Sequence, residues 1–205
     1  MNIEIWLAFV LASAALLAIP GPTVMLVVSY ALGQGRRSGW ATVPGVTLGD
    51  FTAMTISLAG AGAILLANAT LFTLLKFAGA AYLIWLGIGL WRAEPTPPDL
   101  REQRHGAMRA MFVNSFVVTA LNPKSIVFFM AFVPQFVDPD RPLFAQFVIL
   151  EATFLTLAAA NIVIWVLLVG RLRARFSAPE TLRAINRVGG SFLIGAGFLT
   201  ALARR

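Results

Sequence analysis

The sequence predicts an all-α integral membrane protein: six transmembrane helices in two inverted three-helix repeats, with helices one and four broken near mid-membrane. Three observations lead there. The 205 residues are 59% hydrophobic and 12% charged, half the roughly 25% charged residues of soluble domains, so the chain cannot clothe a globule in polar surface. Several apolar runs exceed the ~20 residues that cross a bilayer. Two of those runs are interrupted at a similar depth, by Pro20-Gly21-Pro22 and by Asn122-Pro123-Lys124. Proline lacks an N–H and clashes with the preceding turn, so neither run continues as a straight helix. In lipid, the freed backbone groups are tolerated only against protein or a water-filled cavity, and paired interruptions in two halves of a chain point to a transporter's central site.

The spans follow in order, at about residues 4–32, 41–66, 70–91, 109–133, 143–170 and 186–203, the last with a start as early as Leu182. The first contains Pro20-Gly21-Pro22. It is too long for a signal peptide, lacks a basic leader and carries prolines where an h-region is continuous, so no signal peptide is expected. The second carries Asp50 about ten residues in, with Gly45 and Gly49 one turn apart beside it for close helix packing. The third ends at the Pro-rich loop Arg92–Met108, the only linker-like segment. It divides a single transmembrane domain, residues 1–205, into repeat 1 (about 1–92), a loop (about 93–108) and repeat 2 (about 109–205). The fourth contains Asn122-Pro123-Lys124 and runs into Pro134-Gln135-Phe136. The fifth holds Glu151 and Asn161, and the sixth is short and glycine-rich.

The repeat reading rests on ordered matches. Ala18–Pro22 falls on Ala120–Lys124 at an offset of 102, and Asp50, Thr52 and Thr55 fall on Glu151, Thr153 and Thr156 at an offset of 101. Gly79, Leu83, Ile84 and Gly87 fall on Gly189, Leu193, Ile194 and Gly197. Three spans per unit is odd, so the second unit is inverted. Orientation follows from Lys and Arg. The Arg36–Arg37 turn, the Arg92–Arg109 loop and the Arg171–Arg187 stretch share one face, which is then cytoplasmic. Lys76, Arg141, Arg204 and Arg205 are left on the other face, with both termini. The net charge of +7 is thereby explained by orientation, not by nucleic acid. Trp6, Trp40, Trp91 and Tyr30 lie near span ends, where aromatic rings anchor at the interface. Gly79, Gly87, Gly189, Gly190, Gly195 and Gly197 read as helix-packing faces, and such faces are compatible with a homodimer.

The residues that carry chemistry are few. There is no cysteine, and the one histidine, His105, lies in the polar loop, so neither thiol chemistry nor a metal site is expected, and no cofactor is implied. Pro20, Gly21 and Pro22 leave carbonyls unpaired and let a backbone or ligand come close. Lys124 lies too deep to snorkel and needs an anion or water, because a cation at mid-bilayer costs about 2.5–3.5 kcal/mol. It holds a substrate carboxylate, is displaced from a protein carboxylate, or forms a structural ion pair. Asp50 is the natural carboxylate; it pairs with Lys124, binds a substrate amino group or carries a proton. Glu151 is either a second carboxylate of that pair or a bystander at a water-filled edge. Gln135 gates the outer mouth or caps its helix, and Asn161 reads as a bond between helices. An intramembrane protease with Asp50 and Glu151 as a carboxyl dyad is the alternative, and it requires both within hydrogen-bond reach of one water.

At these residues the chain resembles the lysine-exporter superfamily, in its homoserine/threonine exporter branch. The matching pieces are Pro20-Gly21-Pro22, Gly35 to Gly39, Gly45 to Gly49-Asp50, Gly79 to Leu83 with Leu86-Gly87, Asn122-Pro123-Lys124 and Phe132 to Val137, in order over nearly the whole chain. The resemblance implies a multi-pass exporter of the bacterial inner membrane that removes amino acids or derivatives using an ion gradient. Members of that family carry basic amino acids, homoserine, threonine or branched-chain amino acids. The expected partners are an amino-acid substrate, a proton or sodium as coupling ion, and the bilayer. Family members usually carry a small or apolar residue where Glu151 stands, so a role for Glu151 rests on the repeat alone.

Overall fold

The computed structural model describes residues 1–67, 69–92, 108–138, 140–176 and 179–202. The turn at residue 68, the loop 93–107 with His105, and Arg204 and Arg205 lie outside the described residues. Every regular element among the described residues is helical. They are α1 (Ile3–Ala18), α2 (Pro22–Gln34), α3 (Gly39–Ala67), α4 (Ala69–Arg92), α5 (Met108–Ala120), α6 (Pro123–Val127), α7 (Leu143–Phe176) and α8 (Pro179–Leu202). Among the described residues, α7 is the one helix that by length and composition is sufficient to cross a membrane, over Leu143–Val169. Two bent pairs qualify as joined runs. One is α1 with the run that starts at Pro22, bent by 54°; the other is α5 with the run Pro123–Phe136, bent by 40°.

Both bends arise from proline. The ring's Cδ disfavours helical geometry in the residue before a proline. Ile19 (ψ 116°) before Pro20, Gly21 (ψ −168°) before Pro22 and Asn122 (ψ 110°) before Pro123 are all extended. Each break is then followed by a proline at the first helical position, where its missing N–H costs nothing. Asn122 also caps α6, its Oδ1 accepting from the Lys124 N–H at 3.1 Å. The reversal between α2 and α3 uses Gly35 at φ 66°, a left-handed value that glycine adopts without steric penalty.

Beyond the break that the sequence predicts in the fourth span, the chain also departs from regular α-helix. Phe128–Phe132 form a π-helical turn and Val133–Phe136 a 3₁₀ turn. The wide turn buries Phe128, Phe129, Ala131 and Phe132 together. Two other elements are longer than expected: α7 runs to Phe176 and α8 starts at Pro179. Tyr30 is a correction to the interfacial reading. It is buried, and its hydroxyl accepts from Asn114 Nδ2 at 2.8 Å, joining α2 to α5. Trp40 and Trp91 do stay exposed, and Arg187 lies over the Trp91 ring.

Packing is exchanged between the two halves. α3 packs on α5, α7 packs on α1 and α2, and α4 pairs with α8. The α3–α5 approach depends on glycine: a Cβ on Gly45 would lie 2.6 Å from the Phe112 carbonyl oxygen, and one on Gly49 2.8 Å from that of Phe116. Gly87 and Gly190 make the same kind of contact between α4 and α8, whereas Gly195 faces open space. Two larger apolar clusters result, beside a small one of Tyr30, Ala41 and Met111. One is largely aromatic and joins Phe9, Phe128, Phe129, Phe132 and Phe154 with Leu16 and Met54. The other is rich in valine and joins Val24, Val27, Val28, Val46, Ile162, Val166 and Val169.

Candidate functional site

The two broken helices meet, and a cavity of about 30 Å³ lies where they do. It is lined by Leu16, Leu17, Gly21, Thr23, Val24, Val46, Asp50, Asn122, Lys124, Ser125, Ala158, Asn161 and Ile162. Leu16 and Ala158 belong to the aromatic cluster, and Val24, Val46 and Ile162 to the valine cluster, so the cavity is closed in between the two. Its volume suits a water molecule and is far below the roughly 300–1,000 Å³ of small-molecule pockets. In this arrangement the space holds water but no amino acid.

The position of Lys124 follows from the breaks. Asn122 and Pro123 start α6 so that Lys124 falls in its first turn, pointing at the end of α1. Ile19 and Pro20 end α1 there, leaving last-turn carbonyls without the N–H of a continuing helix. The Lys124 ammonium donates to the Ile19 carbonyl at 3.1 Å and the Leu16 carbonyl at 3.3 Å. Asn161 Nδ2, from α7, donates to the Leu17 carbonyl at 3.0 Å. A cation at a helix C-terminus is also favoured by the helix dipole. Gly21 leaves the necessary room, since a Cβ there would lie 3.2 Å from Lys124 Nζ.

Asp50 lines the same cavity and is 3% exposed, next in α3 to Gly49, which presses against α5. Among the described residues the one ion pair is Arg141–Asp138, so Asp50 and Lys124 face each other across the cavity without direct contact. Neighbouring hydroxyls and amides extend the polar lining: Asn122 Nδ2 and Thr119 Oγ1 each donate to Thr23 Oγ1 at 3.3 Å.

Of the residues singled out from sequence, the structure brings Gly21, Asp50, Asn122, Lys124 and Asn161 to the cavity, Asn161 while also making the bond between helices that the sequence suggests. Pro20, Pro22 and Pro123 shape the breaks without lining it, and Gly49 sits behind Asp50 against α5. Gln135 donates to the Ala131 carbonyl at 2.9 Å, within its own helical run. Glu151 accepts from Thr55 Oγ1 at 2.6 Å, joining α7 to α3 away from the cavity. Sequence reasoning missed Thr23 and Ser125. Thr23 follows Pro22 and Ser125 follows Lys124, so first-turn placement beside a break was the available signal.

The chain matches the LysE type translocator family over residues 14–204. A homoserine/homoserine lactone efflux protein of Salmonella typhimurium (strain LT2) is 34% identical over 100% of this chain and 99% of the relative. An uncharacterized membrane protein of Vibrio cholerae is 32% identical over 100% of both. A leucine efflux protein of Enterobacter sp. (strain 638) is 26% identical over 96% of this chain and 92% of the relative. No solved structure matches the chain. The chain belongs to the LysE type translocator family, and the family is one of transporters, so the enzyme alternative falls away.

Proposed function

We propose that this LysE-type translocator is a secondary active exporter of neutral amino acids or their derivatives, of the homoserine and threonine class, across the bacterial inner membrane by proton-coupled antiport. The observation that carries the reading is the small cavity in which Lys124 and Asp50 face each other at the junction of two broken helices. A zwitterion presents one group to each: its carboxylate to the Lys124 ammonium and its ammonium to Asp50. The Leu16 and Ile19 carbonyls, which Lys124 releases as it turns to the substrate, are acceptors for the same ammonium. Asp50 protonated has no charge to offer a substrate ammonium, so proton and substrate exclude one another, and exchange requires that exclusion. The names of the relatives support the substrate class.

The membrane arrangement we read is six spans in two inverted repeats. Its support is the exchanged packing, in which each half's second helix lies on the other half's broken helix and the third helices pair. The valine cluster then lies toward the Arg36–Arg37 turn and the cytoplasm, and the aromatic cluster toward the periplasm, with both termini. Alternate opening of the two clusters exposes the cavity to each side.

The test is uptake of homoserine, threonine and leucine into inside-out vesicles. An acidic interior is expected to drive accumulation, and Asp50→Asn to abolish that drive. Accumulation that follows a sodium gradient at fixed pH and ignores the pH gradient sinks the proton reading.

A further inference from the structure

A second, much larger space opens on the side of the bundle, between the start of α3 and the later part of α7. It is a groove of about 560 Å³. Val43, Pro44, Val166 and Leu167 form its walls, with Trp40 beside it and Arg36 as its one charged lining residue. Its outer residues are exposed: Trp40 at 83% and Leu167 at 44%. The apolar walls do not suit a water-soluble ligand, and in a bilayer such a groove is filled by a hydrocarbon chain. The charged end is equally specific. Arg36 offers a guanidinium, whose planar fork binds phosphate oxygens in pairs, and Arg37 is exposed next to it. Pro44 adds a polar feature, because it has no N–H to give the Trp40 carbonyl one turn before it. An amphiphile with an apolar tail, a phosphate and a hydroxyl-bearing headgroup matches all three.

We infer that the groove between α3 and α7 is a binding site for an anionic phospholipid of the Arg36-side leaflet, with an acyl chain against Val43, Pro44, Val166 and Leu167 and the phosphate on Arg36. The site bears on transport through Val166. That residue lines the groove and also belongs to the valine cluster that closes the central cavity. It further packs on Gly39, where an added Cβ would lie 3.3 Å from it. α3 and α7 are the helices that carry Asp50 and Asn161 into the cavity. An acyl chain wedged between them on this side therefore supports one spacing of the seam over another. Where the Thr55–Glu151 hydrogen bond ties the same two helices, they have no such freedom.

The experiment is native mass spectrometry of the full chain, released from mild detergent with phosphatidylglycerol or phosphatidylcholine added in equal amounts. The wild type is expected to retain phosphatidylglycerol at least tenfold better than phosphatidylcholine. Arg36→Gln, an exposed substitution, removes that preference, and Val163→Trp, which fills the groove from its exposed edge, removes retention of both lipids. Thermal unfolding of each variant checks that it is folded. Equal retention of the two lipids by the wild type overturns the inference, as does undiminished phosphatidylglycerol retention by a folded Val163→Trp. A lipid-free dimer that Val163→Trp converts to monomer overturns it too and assigns the groove to a second copy of this chain. The lipid readout is independent of transport, so its failure leaves the exporter reading standing, and the reverse holds as well.

Discussion

Replacing Lys124 by methionine keeps the length and apolar bulk of the side chain and removes only the ammonium. The structure fixes what is lost. The Ile19 carbonyl loses its donor at 3.1 Å. The Leu16 carbonyl loses one of two, because it still accepts from the Ile19 N–H at 3.3 Å. One buried acceptor is thus stranded, at about 1–3 kcal/mol, and a second charge-assisted bond disappears, worth up to about 1.5–3 kcal/mol. Asp50 also loses its opposite charge. That loss falls below the ~3–5 kcal/mol of breaking a contacting buried pair, because the two groups are not in direct contact. Relief from burying an ammonium works the other way. The net expectation is a loss of about 2–4 kcal/mol, read as the shift in detergent-micelle unfolding by a denaturing surfactant, together with loss of export. Asp50→Asn in the same chain should recover part of the loss, so that the double variant departs from additivity by more than about 0.5 kcal/mol. A Lys124→Met protein within about 0.5 kcal/mol of the wild type would refute the reasoning, because a surface-like cost means the carbonyls never depended on the ammonium.

Gly49→Leu should destabilise by at least about 1–3 kcal/mol through overpacking, since its Cβ alone would lie 2.8 Å from Thr119 Cβ; unfolding measurements read the loss. Gly60→Ala is the control, because nothing lies within 4 Å of its added Cβ, and the loss of a helical glycine should raise stability by roughly 0.5–1 kcal/mol. Ser115→Ala should be neutral or stabilising in the same assay, because the Ser115 hydroxyl is buried and finds no hydrogen-bond partner. Orientation can be read with single cysteines in a chain that has none. Arg37→Cys should resist an impermeant thiol reagent in intact cells while Arg141→Cys reacts, both positions being exposed; the opposite pattern reverses the topology.

The helix breaks were legible in the sequence because two of the proline sites add a second local signal, the doubled Pro20-Gly21-Pro22 and the capping Asn122, and Ile19, Gly21 and Asn122 are extended, whereas Val133 before the single Pro134 stays helical. The prominence of Lys124 and Asp50 was legible for a related reason, since a charge inside an apolar run has few places to go. The partner of Lys124 was not. Every residue has a carbonyl, and only the meeting of two breaks in space shows that those of Leu16 and Ile19 are the ones left open. The repeat alignment set Glu151 opposite Asp50, yet the lining residues of α7 are Ala158, Asn161 and Ile162. Glu151 lies two turns from Ala158, too far along the helix to reach the cavity, and bonds Thr55 instead. Such axial placement depends on where the helices cross, which pairwise matches do not encode. The π turn at Phe128–Phe132 was hidden as well, because one extra residue in a turn is decided by ring packing, as in the edge-to-face contact of Phe129 with Phe154 at 4.8 Å.

Lys124 also joins the two halves mechanically. It belongs to α6, in the second half, and its two acceptors belong to α1, in the first. On the proposed reading, α6 cannot move away from the end of α1 without breaking both bonds, and an empty carrier therefore resists rearrangement. A substrate carboxylate competes for the same ammonium while the substrate's own ammonium replaces it at the freed carbonyls. The charge at the end of α1 is conserved, but the hydrogen-bonded tie between the halves is gone, because the new cation is not attached to α6 and travels with the substrate. Binding thus unlocks the junction at little electrostatic cost. The cavity's volume of about 30 Å³ is the counterpart of that locked state: it admits water but no amino acid until the junction yields.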